Sequence, residues 1–140
     1  MIFLDTSVLV AIAQVDHVHH ARSLELWNQC AGKQTAVSAH TLAEFYSSVT
    51  SMPPGIRLSG RDAMLALDTF LKRIVPVALT ASEYTETLRS CVATGLTGGT
   101  IYDALHVASA RKVAAERIYT WNVRHFQRAA PDLAERIVAP

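Results

Sequence analysis

"MIFLDTSVLV", residues 1–10, decides how the rest of the chain is read. Four apolar residues end abruptly in Asp5-Thr6-Ser7, and an apolar helical pattern starts at once. A short apolar run with a polar stop reads as a buried strand, and "SVLVAIAQ" (7–14) as the helix leaving it. The alternation recurs. "TAVS" (35–38), "IVPVAL" (74–79), "RIYTW" (117–121) and "RIVA" (136–139) read as further strands, with Pro76 arguing for an edge. Helical segments lie between them: 19–30, 39–51, 59–74, 80–95, 98–110 and 122–129. Ala21, Leu24, Trp27 and Leu26 are the expected apolar side of 19–30; Met64, Leu67, Leu71 and Ile74 share that of 59–74. Thr80 or Ser82 caps 80–95, and Gly95 closes it. Short apolar strands alternating with helices predict an α/β domain, a parallel sheet covered on both faces.

The chain has 140 residues, 50% hydrophobic and 18% charged, which predicts one globular domain over residues 1–140. A net charge of +1 does not announce a polyanion binder, so any such site must be built locally. The basic lean of the last forty residues reads as solvated helix faces. Cys30 and Cys91 fit no metal spacing and read as reduced thiols of a cytoplasmic protein. Ala11-Ile12-Ala13 resembles a signal-peptidase site, but no basic residue precedes the apolar run and Asp5 interrupts it. No stretch is long enough to span a bilayer.

In a parallel α/β sheet, ligands gather outside the carboxyl ends of the strands. Asp5 follows the first strand, Glu44 lies in the helix after the second, Asp103 opens the helix before the fourth, and Asn122 follows the fourth. If strands one, two and four are neighbours, these side chains can converge. Three convergent carboxylates repel one another unless a cation sits among them. Oxygen-only ligation favours Mg²⁺ or Mn²⁺, and the matching chemistry is phosphodiester hydrolysis. Each acid also has a purely structural reading. Asp5 can cap the first helix. Thr41–Glu44 in "TLAE" and Thr100–Asp103 in "TIYD" fit the capping-box pattern.

"MIFLDTSVLV", "TLAEFY", "GLTGGTIYDALHVASA" and "YTWNVRHF", in that order, resemble a PIN domain of the VapC type, the ribonuclease toxin of a VapBC toxin–antitoxin pair. The resemblance covers essentially the whole chain. It implies a three-layer α/β/α fold with strand order 3-2-1-4-5 and Mg²⁺- or Mn²⁺-dependent cleavage of RNA. It also implies a homodimer and a small cognate antitoxin. Asp5, Glu44 and Asp103 match the three family acids. Asp5 and Asp103 would be the metal ligands, and Glu44 would hold a metal-bound water or take its proton. Ser7 and Thr120 match hydroxyls that brace the pocket. The family's fourth acid is Asn122 here, which adds no negative charge.

Other features carry less. His17 and His20, three apart on a helical segment, form a ligand pair only with a third partner, so a solvated helix start is expected. His106, one turn after Asp103, is expected to be a packed or surface residue. Arg124 and His125 are candidates for phosphate contacts or plain surface. Haloacid-dehalogenase chemistry needs a second Asp where Ser7 stands, and a response regulator needs an Asp that "VPVALTAS" lacks. The remaining alternative is a catalytically weak or inactive module of the same fold that binds RNA or protein, a reading to which Asn122 lends weight.

Overall fold

Short strands with apolar side chains on both faces can be stable only between two helical layers. That is the arrangement in the computed structural model, which describes residues 1–140. Five strands, β1 (Ile2–Leu4), β2 (Thr35–Ser38), β3 (Ile74–Val77), β4 (Arg117–Tyr119) and β5 (Ile137–Val138), form one sheet of order β3-β2-β1-β4-β5. Every pairing is parallel; Phe3 lies beside Ala36 on one side and Ile118 on the other. This is the three-layer α/β/α architecture and strand order that the resemblance implied. Pro76 falls in the edge strand β3, as its missing N–H requires.

The period of two along β1 divides the core. Leu4 points into a cluster with Val8 and Leu9 of α1 (Thr6–Ala13), Leu26 and Trp27 of α2 (His20–Gln29), Phe45 of α3 (His40–Thr50) and Leu67 of α4 (Gly60–Leu71). Phe3 points the other way, onto Val107 and Ala110 of α6 (Thr100–Lys112) and Phe126 of α7 (Val123–Ala129). The helix α5 (Ala81–Thr94) packs outside α6. Thr80 is its N-cap, in a reciprocal capping box with Glu83. Gly95 closes it in the left-handed region at φ 67°, where a Cβ would be strained.

Several expectations are corrected. The buried stripe of α4 is Ala63, Leu67 and Phe70, while Met64 and Leu71 face outward. In α2 the inward residues are Ser23, Leu26 and Trp27, and Leu24 is exposed. Leu26, Trp27 and Leu67 are buried as expected; Leu24, Met64 and Leu71 are not, because polar Ser23, small Ala63 and Phe70 take the remaining core positions. Residues 117–121 stay extended only to Tyr119, and a 3-10 segment (Pro131–Arg136) precedes β5. Neither proposed capping box around the acids forms. Ala39 is the N-cap of α3, which leaves Thr41 inside the helix and fully buried. Thr100 is already helical and donates to the Thr97 carbonyl at 2.7 Å. Glu44 and Asp103 are therefore released from backbone capping. No helix is long and apolar enough to cross a membrane. Cys30 and Cys91 are both free and buried.

Candidate active site

The strand order reverses between β1 and β4, and a crevice opens at the carboxyl ends of the strands there. A cavity of about 830 Å³ occupies it and is lined by Asp5, Glu44, Asp103 and Asn122 together. Asp5 enters at the end of β1, its backbone N–H donating to the Tyr119 carbonyl of β4 at 2.9 Å. Its side chain is held through one oxygen. Ser7 Oγ and Thr120 Oγ1 donate to Oδ2 at 2.6 and 2.8 Å, and the Ser7 backbone N–H adds a weak cap at 3.3 Å. The other oxygen, Oδ1, is left toward the pocket, 4.0 Å from His106 Nε2. The helix-cap and site readings of Asp5 are thus compatible, because they use different oxygens. Ser7 Oγ also accepts from the Trp121 backbone N–H at 3.0 Å, and Thr120 Oγ1 from that of Asn122 at 2.9 Å. The two hydroxyls tie the β1 and β4 ends into one frame.

Glu44 reaches from α3 into the cavity at the carboxyl ends of the strands. Thr6 Oγ1 donates to its Oε2 at 2.6 Å, and His106 Nε2 lies 2.7 Å from the same oxygen. Oε1 faces His40 Nε2 at 3.6 Å. Burial works to push the Glu44 carboxyl up, but the His106 bond and charge, helped by Thr6 and His40, hold it below the usual carboxylate range. His106 is fully enclosed. Burial favours its neutral form, yet the Glu44 bond and the charges of Asp5, Glu44 and Asp103 raise its pKa above the ordinary histidine value. Its Nδ1 is buried without a partner, so Nε2 is the nitrogen that carries a proton toward Glu44.

His106 is packed, as expected, but it is also the hub of the acid cluster, which reading it alone missed. The signal available was spacing: His106 is three residues from Asp103 and His40 four from Glu44, so each shares a helix face with an acid. His17 precedes α2, whereas His20 begins it and approaches the Ala11 carbonyl at 2.9 Å. They do not share a helix face; His17 lines the acid cavity instead.

Asp103 stands in the first turn of α6, mostly buried, with His125 Nδ1 3.7 Å from its Oδ2. Arg124 is exposed. Burial pushes the Asp103 carboxyl up, and the Asp5 charge adds to this; His125 and His106 oppose it and Glu44 reinforces it. A carboxyl raised in the folded state is destabilising when ionised. That cost is absent below the unfolded-state pKa and grows as pH rises through the folded-state value. Asp103→Asn is therefore expected to unfold at a higher temperature than the unaltered chain at pH 7, with the gap closing toward pH 3. Thermal melts across pH check this; a gap that persists in acid contradicts it.

The donor set suits a hard divalent cation. Burial and the Asp5 charge both work against an ionised Asp103, a balance that a cation held beside it would reverse. No three His, Cys, Asp or Glu side chains come close enough to enclose an ion by themselves. Mg²⁺ commonly takes only one or two carboxylates and fills its shell with water and phosphate, so Asp5 and Asp103 could hold such an ion only with water or phosphate completing its shell.

Parallel α/β/α layering, this strand order and acids at the switch point define a PIN-type domain. A family model for the PIN domain matches residues 2–131. Ribonuclease VapC27 of Mycobacterium tuberculosis is 35% identical over 114 residues, covering 81% of this chain and 79% of that protein. Ribonuclease VapC40 of the same species is 32% identical over 127 residues, covering 89% and 88%. The chain belongs to the PIN domain family, among its VapC-type members. Among solved structures, M. tuberculosis VapC20, described as a Sarcin-Ricin loop cleaving toxin, shares the fold with a TM-score of 0.74 at 21% identity, covering 89% of this chain and 92% of that one. VapBC2 from Rickettsia felis, bound to a DNA fragment from its promoter, does so at 0.63 and 24%, covering 93% and 94%.

Proposed function

We propose that this chain is the toxin of a type II toxin–antitoxin pair, an endoribonuclease that hydrolyses RNA phosphodiester bonds with Mg²⁺ or Mn²⁺. The observation that carries the reading is the meeting of Asp5, Glu44 and Asp103 in one cavity, with Asp5 Oδ1 left over after its sister oxygen is tied down. The names of the VapC relatives and of the VapBC structure support the ribonuclease and antitoxin parts. By the same kinship we propose a homodimer, a small cognate antitoxin and a cytoplasmic location.

Asp5 and Asp103 would hold the ion. When bound, it supplies Lewis-acid chemistry at a phosphodiester: charge neutralisation at phosphorus and a more acidic water. Glu44 is fixed through Oε2 by Thr6 and His106; Oε1, 3.6 Å from His40 Nε2, would orient the attacking water and accept its proton. Its lowered pKa keeps it ionised at neutral pH. Asn122 lines the cavity at the start of α7, where its amide can donate to a phosphate oxygen.

Purified chain, free of any partner, is expected to cut RNA with Mg²⁺ or Mn²⁺ and to stop on chelation. Expression alone should arrest growth, with relief by a co-expressed neighbouring gene. No cleavage under any divalent cation favours the second reading, a binding module without turnover, which the replacement of a fourth acid by Asn122 supports. Asn122→Asp is expected to tighten Mn²⁺ binding severalfold in a calorimetric titration. Unchanged or weaker affinity would show that this side chain does not face the ion.

A further inference from the structure

The acid cavity is flanked by two flat stacks. On one side His19 lies on Trp121, ring centroids 3.7 Å apart and planes 7° from parallel. The Arg22 guanidinium stands 6.0 Å from the Trp121 ring, and Trp121 Nε1 donates to Ser23 Oγ at 2.9 Å, which fixes the indole. On the other side His40 lies on Tyr102, 5.1 Å apart and 5° from parallel. All four rings line the cavity that holds the acids. Each stack is bonded in sequence to the acid frame: Tyr102 precedes Asp103, and Trp121 follows Thr120, which holds Asp5.

Fold stability accounts for only part of this arrangement: the Trp121 indole packs against the larger core cluster, but the rings stacked around it are not core residues. Tyr102 is 50% exposed, and its stack lies over the pocket rather than within either core cluster. Charge does not account for RNA capture either. The chain carries a net charge of +1, and the cavity concentrates carboxylates, which repel phosphates. Beyond the phosphate seated on the cation, affinity then falls to groups indifferent to that repulsion. Nucleobases present π faces that stack on His, Tyr and Trp rings whatever their sequence.

Resting on the ribonuclease reading for the identity of the ligand, we infer that the His19–Trp121 and His40–Tyr102 stacks are base-binding platforms. They hold unpaired bases of the nucleotides on the two sides of the phosphate seated at Asp5 and Asp103. His19 and Tyr102 are the binding residues in this scheme. Each lies outside the acid cluster itself, and His19 provides no side-chain cap to α2, so its truncation spares the helix.

The test is binding of a fluorescently labelled single-stranded RNA and of an abasic twin of the same length, followed by anisotropy with Ca²⁺ in place of Mg²⁺ and with the strands verified to be intact afterwards. The ratio of the two affinities cancels the phosphate contribution. The unaltered chain is expected to bind the base-bearing strand about tenfold or more tightly than its abasic twin. Tyr102→Ala and His19→Ala should each lower that ratio, and the double variant should bring it near one. A ratio near one in the unaltered chain, or one unmoved in the double variant, overturns the platforms. With Mg²⁺ restored, cleavage by the unaltered chain tests the ribonuclease reading separately. Cutting with no base dependence sinks only the platforms, and base-dependent binding without cutting sinks only the nuclease.

Discussion

RNA cleavage is expected to fall about 10³-fold in Asp5→Asn and in Asp103→Asn, the equivalent of about 4 kcal/mol of lost transition-state stabilisation. Both changes preserve side-chain size and remove one negative charge from the pocket. In Asp5→Asn the Ser7 and Thr120 hydroxyls can still bond the remaining side-chain oxygen, so the β1 and β4 ends stay joined. In Asp103→Asn the fold is expected to gain stability, because the carboxyl removed is the one that burial and its neighbours penalise. Activity and stability should thus move in opposite directions at Asp103, the pattern of a residue kept for function at a structural cost. Single-turnover cleavage beside thermal melts checks both halves. Undiminished cleavage by both variants contradicts the assignment.

Phe45→Ala is expected to cost about 3–5 kcal/mol of stability, against a total of roughly 5–15 kcal/mol for a domain of this kind. Phe45 is fully buried and meets Phe70 edge to face, centroids 5.6 Å apart at 90°. It couples α3 to α4 and to β1 and β2 within the larger core cluster. Its neighbour Glu44 points out of that core into the cavity, so one turn of α3 serves both packing and the site. Leu65→Ala, at a position 65% exposed, should stay within about 0.5 kcal/mol. Denaturant midpoints of the two variants check the contrast. A small effect at Phe45 would show that α3 is not anchored as described.

The strands were legible because β1, β2 and β4 are short apolar runs bounded by polar stops, and Pro76 marked the edge. Helix faces were less so. Ala63 and Ser23 occupy core positions that hydrophobicity counts pass over, while Met64 and Leu24 project outward. The acids could be placed at strand ends from order alone, but "TLAE" and "TIYD" also matched capping boxes. Only tertiary placement decides there: Ala39 and Gly99 take the N-cap positions. The partners of the acids were hidden for a related reason. His106 meets Glu44 across 62 residues of chain, and the ring stacks join residues that no local pattern connects. Contacts of that range are set by the sheet order, not by neighbouring sequence.

Calorimetric titration of Mn²⁺ into the unaltered chain and into the doubly substituted Asp5→Asn/Asp103→Asn chain bears most directly on whether these carboxylates are gathered to take a divalent cation. The expected result is a saturable site in the first that is missing in the second. Equal affinity in both, or RNA cleavage that persists in chelator, would contradict it.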